Sequence, residues 1–116
     1  MTGDIHPRTP TDWLTMPDLV EATGESLSRV RRYLDEAYLI GSRRNGPFAV
    51  PSIFLVEGQP LSSLRGTIIA LRDAGLTDDE AIDWLLDHEE AIGQAPIASL
   101  LQGRKSEVRR IARTLA

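Results

Sequence analysis

A mainly α fold is what this sequence predicts, and three observations predict it. Between Leu14 and Asp35, two short amphipathic segments, each opened by a hydroxyl residue, stand on either side of Gly24. Straight after them, Asn45-Gly46 interrupts two short runs of strand-forming residues. From Leu61 onward, further segments carry apolar residues at helical spacing. Helix, tight turn, helix and hairpin in that order read as a winged helix-turn-helix with a short two-stranded wing, over residues 13–58. Residues 59–116 then form a C-terminal helical segment packed on it. Residues 1–12, with two prolines and Gly3, read as a disordered N-terminal arm.

The first helix has a legible start. Thr15 followed three residues later by Asp18 has the form of a capping box, and Leu14 and Leu19 are placed for a hydrophobic staple. Pro17 is tolerable in a first turn, whose N–H groups have no helical partner. Gly24 ends the helix, since glycine adopts the left-handed cap without steric cost. Ser26 caps the second helix. Leu27, Val30 and Leu34 make its apolar stripe, and Ser28, Arg29, Arg31, Arg32 and Tyr33 are expected on the opposite side.

The wing is expected from Ile40 to Val50. Asn45-Gly46 suits the two central positions of a type I′ turn, both of which need positive φ. Pro47 cannot donate to a ladder, so the ribbon has a free edge. Arg43, Arg44 and Asn45 stand at its tip. Beyond it, Leu61 to Ala74 reads as a third helix, with Leu61, Leu64, Ile68 and Leu71 on one face, Ile69 widening it and Gly75 stopping it. Thr77 and Glu80 form a second capping box, and Asp78, Asp79 and Glu80 suit the positive end of that helix's dipole. Pro96 opens a short turn that Gly103 closes. Lys105 to Leu115 reads as the last helix, with Val108, Ile111, Ala112 and Leu115 inward and Arg109, Arg110 and Arg113 outside.

The net charge of -4 argues against a uniformly basic polyanion binder, but the charge comes in blocks. From Ser26 to Val50 five arginines stand against Asp35 and Glu36. From Asp73 to Glu90 there are eight carboxylates and no Lys or Arg. The last helix is basic again. Three arginines within one turn of a short helix repel one another unless an anion is near. A basic helix held across another short helix is the element that enters a DNA major groove, and a cationic wing can lie along the adjacent backbone.

The run LTMPDLVEATGESLSRVRRYLDEAYLIGSRRNGPFAVPSIFL resembles the winged helix-turn-helix of a small actinobacterial DNA-binding protein family. The run LSSLRGTIIALRDAGLTDDEAIDWLL and the basic last helix resemble that family's C-terminal helical segment. The resemblance covers roughly Trp13 to Ala116. Its first half also resembles MerR-type regulators and phage excisionases. It implies double-stranded DNA binding without a catalytic site, with Ser28, Arg29, Arg32 and Tyr33 as recognition-helix positions and Arg43 and Arg44 as wing positions.

The expected function is therefore a DNA-binding transcriptional regulator acting through residues 26–36 and 40–50. Two alternatives stand beside it: a protein-interaction adaptor using the acidic face 73–90, and an excisionase-like architectural factor. Thr9 and Thr11, exposed if the arm is loose, are candidate phosphate acceptors for a Ser/Thr kinase. A pseudo-palindromic operator would require a homodimer with half-sites about one helical turn apart. No stretch sustains the heptads of a long MerR-type dimer helix. No Gly-rich phosphate loop, cysteine nucleophile, paired histidines or supported Ser-His-Asp set is present, so no enzyme activity and no cofactor are expected. The absence of cysteine excludes disulfides and thiolate metal sites. With no membrane-length apolar run and no visible signal peptide, a cytoplasmic protein without membrane contact is expected.

Overall fold

The computed structural model describes residues 7–116. It is a mainly α, winged-helix-like fold. A three-residue strand, β1 (Trp13–Thr15), leads directly into α1 (Met16–Thr23), and a tight turn follows to α2 (Leu27–Asp35). The chain returns as β2 (Ala49–Pro51), passes a 3-10 turn, and makes a small hairpin, β3 (Leu55–Val56) with β4 (Gln59–Pro60). Four helices complete it: α3 (Leu64–Asp73), α4 (Asp78–Leu86), α5 (Pro96–Leu101) and α6 (Lys105–Ala112).

The local signals act as their chemistry requires. The Thr15–Asp18 capping box is formed in both directions, Ser26 accepts from the Arg29 N–H, and the Thr77–Glu80 box is also complete. Gly24 ends α1 with φ of 69°. At the end of α2 the left-handed position falls on Ala37, with φ of 64°. The Tyr38 N–H closes the turn onto the Tyr33 carbonyl at 2.8 Å. The Ala37 methyl is buried in the core, which holds this uncommon conformation in place.

One buried cluster runs through both halves. Leu19, Val30, Leu39, Ile40, Val50 and Phe54 from the first half meet Leu64, Ile68, Leu71, Ile82, Leu85 and Val108 from the second. The C-terminal helices therefore pack on the winged region through a shared apolar interior. Gly66 lets α6 approach α3: a Cβ there would overlap the Arg109 guanidinium, whose Nη2 donates to the Ser63 carbonyl at 3.3 Å. The longest helix among the described residues, α3, has ten residues, too short for a coiled-coil arm.

Several expectations are corrected. The wing is not a self-contained hairpin. Ser42 and Ala49 exchange one pair of backbone bonds at 2.9 Å, while β2 pairs antiparallel with β1, Thr15 opposite Ala49. The turn is not type I′ at Asn45-Gly46. The Gly46 N–H bonds to the Arg43 carbonyl at 3.0 Å, so Arg44 and Asn45 are its central residues. Asn45 is not among the positive-φ residues. Ile69 points out of α3 rather than widening its buried face, and α6 passes into a 3-10 turn at Arg113 with Leu115 largely outside.

Residues 1–6 of the expected loose arm lie outside the described residues, but residues 8–12 are tethered. The Thr9 N–H donates to the Leu86 carbonyl at 2.9 Å and the Ser52 N–H to the Asp12 carbonyl at 2.8 Å. Arg8 forms ion pairs with Asp87 at 2.6 Å and Asp83 at 2.9 Å.

Candidate nucleic-acid interface

Two elements carry the cations, α2 and the wing tip, residues 42–49. On α2, Val30 is fully buried and anchors the helix, while Ser28, Arg29, Arg31 and Arg32 are exposed. At ~100° per residue, Arg29 and Arg31 point to opposite flanks, with Arg32 between them on the outermost line. Arg29 stacks 5.6 Å over Tyr33 and lies 3.9 Å from Glu25. Arg32 lies 3.8 Å from Glu36. Tyr33 is half-buried and its hydroxyl donates to Glu25 at 3.1 Å, so it supports Arg29 rather than standing free.

Arg31 turns toward the wing. It and Arg43 border one groove of about 580 Å³, whose other walls are Met16, Pro17, Val20, Leu27 and Phe48. Arg43 is held over the Phe48 ring at 5.9 Å. Gly41 makes room for that ring, since a Cβ there would overlap it. Among the described residues, neither Arg31 nor Arg43 has a carboxylate within ion-pair distance.

Arg44 does not join this face. It reaches across to α4, donating to Asp83 at 2.7 Å, to the Asp79 carboxylate at 3.2 Å and to the Asp79 carbonyl at 3.1 Å. Its Nε donates to the Ser42 hydroxyl at 3.2 Å, and it covers Trp13 at 5.3 Å. Partial burial opposes its charge, but the hydrogen bonds to Asp83 and Asp79 outweigh that and raise its pKa. In turn, a hydrogen bond from Ser42, and then the Arg44 guanidinium, hold the Asp79 carboxyl below the usual carboxylate range. Arg44, expected beside Arg43 as a DNA-facing wing position, is thus instead a strut between wing and α4. Asn45 is exposed on the same turn and borders a recess shared with Thr9, Thr11 and Trp13.

A second strut was not legible in the sequence. Arg65, on α3, donates to the Glu36 carbonyl at 2.7 Å and stacks on Tyr38 at 5.1 Å. It satisfies the end of α2, where a cation also meets the negative pole of the helix. The C-terminal helices thus fix both elements of the face, α2 through Arg65 and the wing through Arg44.

The acidic block is largely engaged inside the molecule. Asp78 pairs with Arg72 at 3.0 Å, and Asp79, Asp83 and Asp87 hold Arg44 and Arg8. His88 is half-buried, 3.7 Å from Glu90. Thr9 and Thr11 are half-buried rather than exposed. The Thr11 hydroxyl accepts from the Ile53 N–H at 3.2 Å and lies 3.3 Å from the Ser52 hydroxyl. Arg113 lines a recess with Gly66, Ile69 and Asp73 of α3. Among the described residues no cluster of three metal-ligating side chains occurs, and no helix is long and apolar enough to cross a membrane.

The fold and its cationic face define a winged-helix-like protein with an integral C-terminal helical segment. Within that class, residues 61–116 match the family model described as the Rv2175c C-terminal domain of unknown function. The chain is 32% identical over 89 residues to the DNA-binding protein Rv2175c of Mycobacterium tuberculosis, an alignment covering 76% of this chain. It spans 60% of the length of that curated relative. The NMR structure of Rv2175c superposes with a TM-score of 0.80 at 26% identity, covering 99% of this chain and 86% of that one.

Proposed function

We propose that this chain binds double-stranded DNA, with α2 in the major groove and the wing tip against the neighbouring backbone, and that it does so as a transcriptional regulator. The observation that carries the reading is the pairing of Arg31 and Arg43. Two cations from separate elements border one groove, and neither has a carboxylate partner among the described residues. Ser28, Arg29 and Arg32 extend that surface along α2. The similarity to a relative named as a DNA-binding protein supports the same reading. The adaptor alternative loses support from the internal pairing of Asp78, Asp79, Asp83 and Asp87.

With Arg29, Arg31, Arg32 and Arg43 each neutralising one phosphate, log affinity falls with log salt at a slope of about -3.6. Arg31→Ala combined with Arg43→Ala brings the slope to about -1.8 and removes retardation of duplex DNA at physiological salt. Wild-type binding that ignores salt, or a double variant that binds like the wild type, refutes the assignment. Selection of duplexes from a random pool then distinguishes a sequence-reading regulator, with paired half-sites if it binds as a dimer, from an architectural factor that enriches no sequence.

A further inference from the structure

Leu27 is an anomaly in a helix whose other inward residues are well covered. It is the first residue of α2 and is 41% exposed. It lines the same groove as Met16, Pro17, Val20 and Phe48, together with Arg31 and Arg43. The lining thus combines apolar side chains with two cations. The rest of the exposed α2 surface is polar, so Leu27 belongs to a local apolar patch rather than a continuation of the core.

A B-DNA edge has the complementary pattern. Phosphates run along both margins of the major groove, and the one apolar group the bases present there is the C5-methyl of thymine. The residues at the N-terminal end of a recognition helix are those that reach base edges. We infer that Leu27 is a specificity-determining residue that reads a thymine methyl in the major groove, with Arg31 and Arg43 holding the flanking phosphates. This rests on the DNA-binding reading above and adds to it a sequence preference at one position.

The test uses the full chain and duplexes selected by it from a random pool. Each thymine of the selected site is replaced in turn by deoxyuridine, which removes the methyl and leaves the pairing groups intact. At one thymine the wild type loses about fourfold in affinity, the scale of one buried methyl group. Leu27→Ala binds the thymine and deoxyuridine duplexes equally there and keeps the wild-type salt slope. Leu27→Gln, close to leucine in size, is the second variant, and an unchanged thermal melt shows that either variant is folded. The inference is overturned if the selected site contains no enriched thymine, if no deoxyuridine substitution weakens binding, or if Leu27→Ala retains the discrimination. In each of those cases salt-dependent duplex binding persists and the DNA-binding reading stands. Loss of all duplex binding by the wild type overturns both.

Discussion

Arg43 and Arg44 are adjacent, share a charge and sit on one turn, yet Arg44 is paired with carboxylates of α4 while Arg43 has none among the described residues and is proposed to face DNA. Replacing each by alanine separates these roles. Arg44 keeps 24% of its side chain exposed and binds Asp83 at 2.7 Å while covering Trp13. At this partial exposure the ion pair contributes ~0.5–1 kcal/mol after screening. The stack on the indole contributes about as much, ~0.5–1 kcal/mol. When Arg44 is removed Asp83 keeps Arg8 at 2.9 Å and Asp79, 61% exposed, is left to water, so no carboxylate is stranded in the interior. Arg44→Ala therefore costs about 1–2 kcal/mol, a fall of about 4–8 °C in Tm for a domain of this size. Its slope of log affinity against log salt stays that of the wild type, read by gel retardation well below the melt. Arg43→Ala does the reverse, flattening the slope by about 0.9 while moving stability by less than about 0.5 kcal/mol. An Arg44→Ala protein that melts normally but loses salt dependence would refute the strut and return Arg44 to the DNA-facing set.

Three other outcomes follow from the same contacts. The Asp18 carboxyl is held below its usual range by the Thr15 backbone and hydroxyl groups. It therefore adds stability above its ordinary unfolded value and loses that contribution as pH falls through its lower folded value, so wild-type melts drop below about pH 4. Asp18→Asn lacks this contribution and shows a flatter acid limb in the same melts. Gly24→Ala meets no atom within 4 Å but must hold φ near 69°. It destabilises by about 1–2 kcal/mol through the backbone alone, measurable by urea unfolding with an unchanged m-value. Glu36→Gln and Glu25→Gln free Arg32 and Arg29 from i,i+4 partners, and each tightens duplex binding about twofold in a titration at low salt.

What the sequence disclosed was local, and what it hid was long-range. Both capping boxes and the Gly24 stop need only residues within one turn of each other, so spacing alone shows them. β1 was hidden because three residues give no alternation to read. Its partner strand stands beyond both α1 and α2, with Leu14 opposite Val50. The Asn45-Gly46 pair marked a turn but not its register. The Ser42 side chain, which accepts from the Arg44 N–H at 3.0 Å, starts the turn one residue earlier. Among the site residues, the exposure of Arg29, Arg31, Arg32 and Arg43 agrees with helical periodicity and position in the turn. The destination of Arg44 could not be read, because Asp83 lies 39 residues away. Arg65 gave no signal either, being an ordinary polar position on an amphipathic helix. Nothing in the local sequence explains Gly66 inside α3; the path of Arg109 across it accounts for the missing side chain.

The charge blocks gain a physical meaning once these contacts are placed together. A chain of net charge -4 would repel a polyanion if its carboxylates were spread evenly. Here eight of the 17 fall between Asp73 and Glu90, and Arg8, Arg44 and Arg72 neutralise several of these at short range. The cations of the face then divide by the state of their partners. Among the described residues Arg31 and Arg43 have no carboxylate to release, so on the proposed reading they give their full charge to an incoming phosphate. Arg29 and Arg32 must first leave Glu25 and Glu36, at 3.9 and 3.8 Å, which are weak exposed pairs that a phosphate can displace. On the proposed DNA-binding reading, affinity is therefore set chiefly at the groove between α2 and the wing, and the outer arginines act as reserves whose contribution grows as their own carboxylates are removed. The same division explains why the C-terminal helices are part of the site without touching its outer face. By binding Arg44 and the end of α2, they set the width of the groove that Arg31 and Arg43 frame.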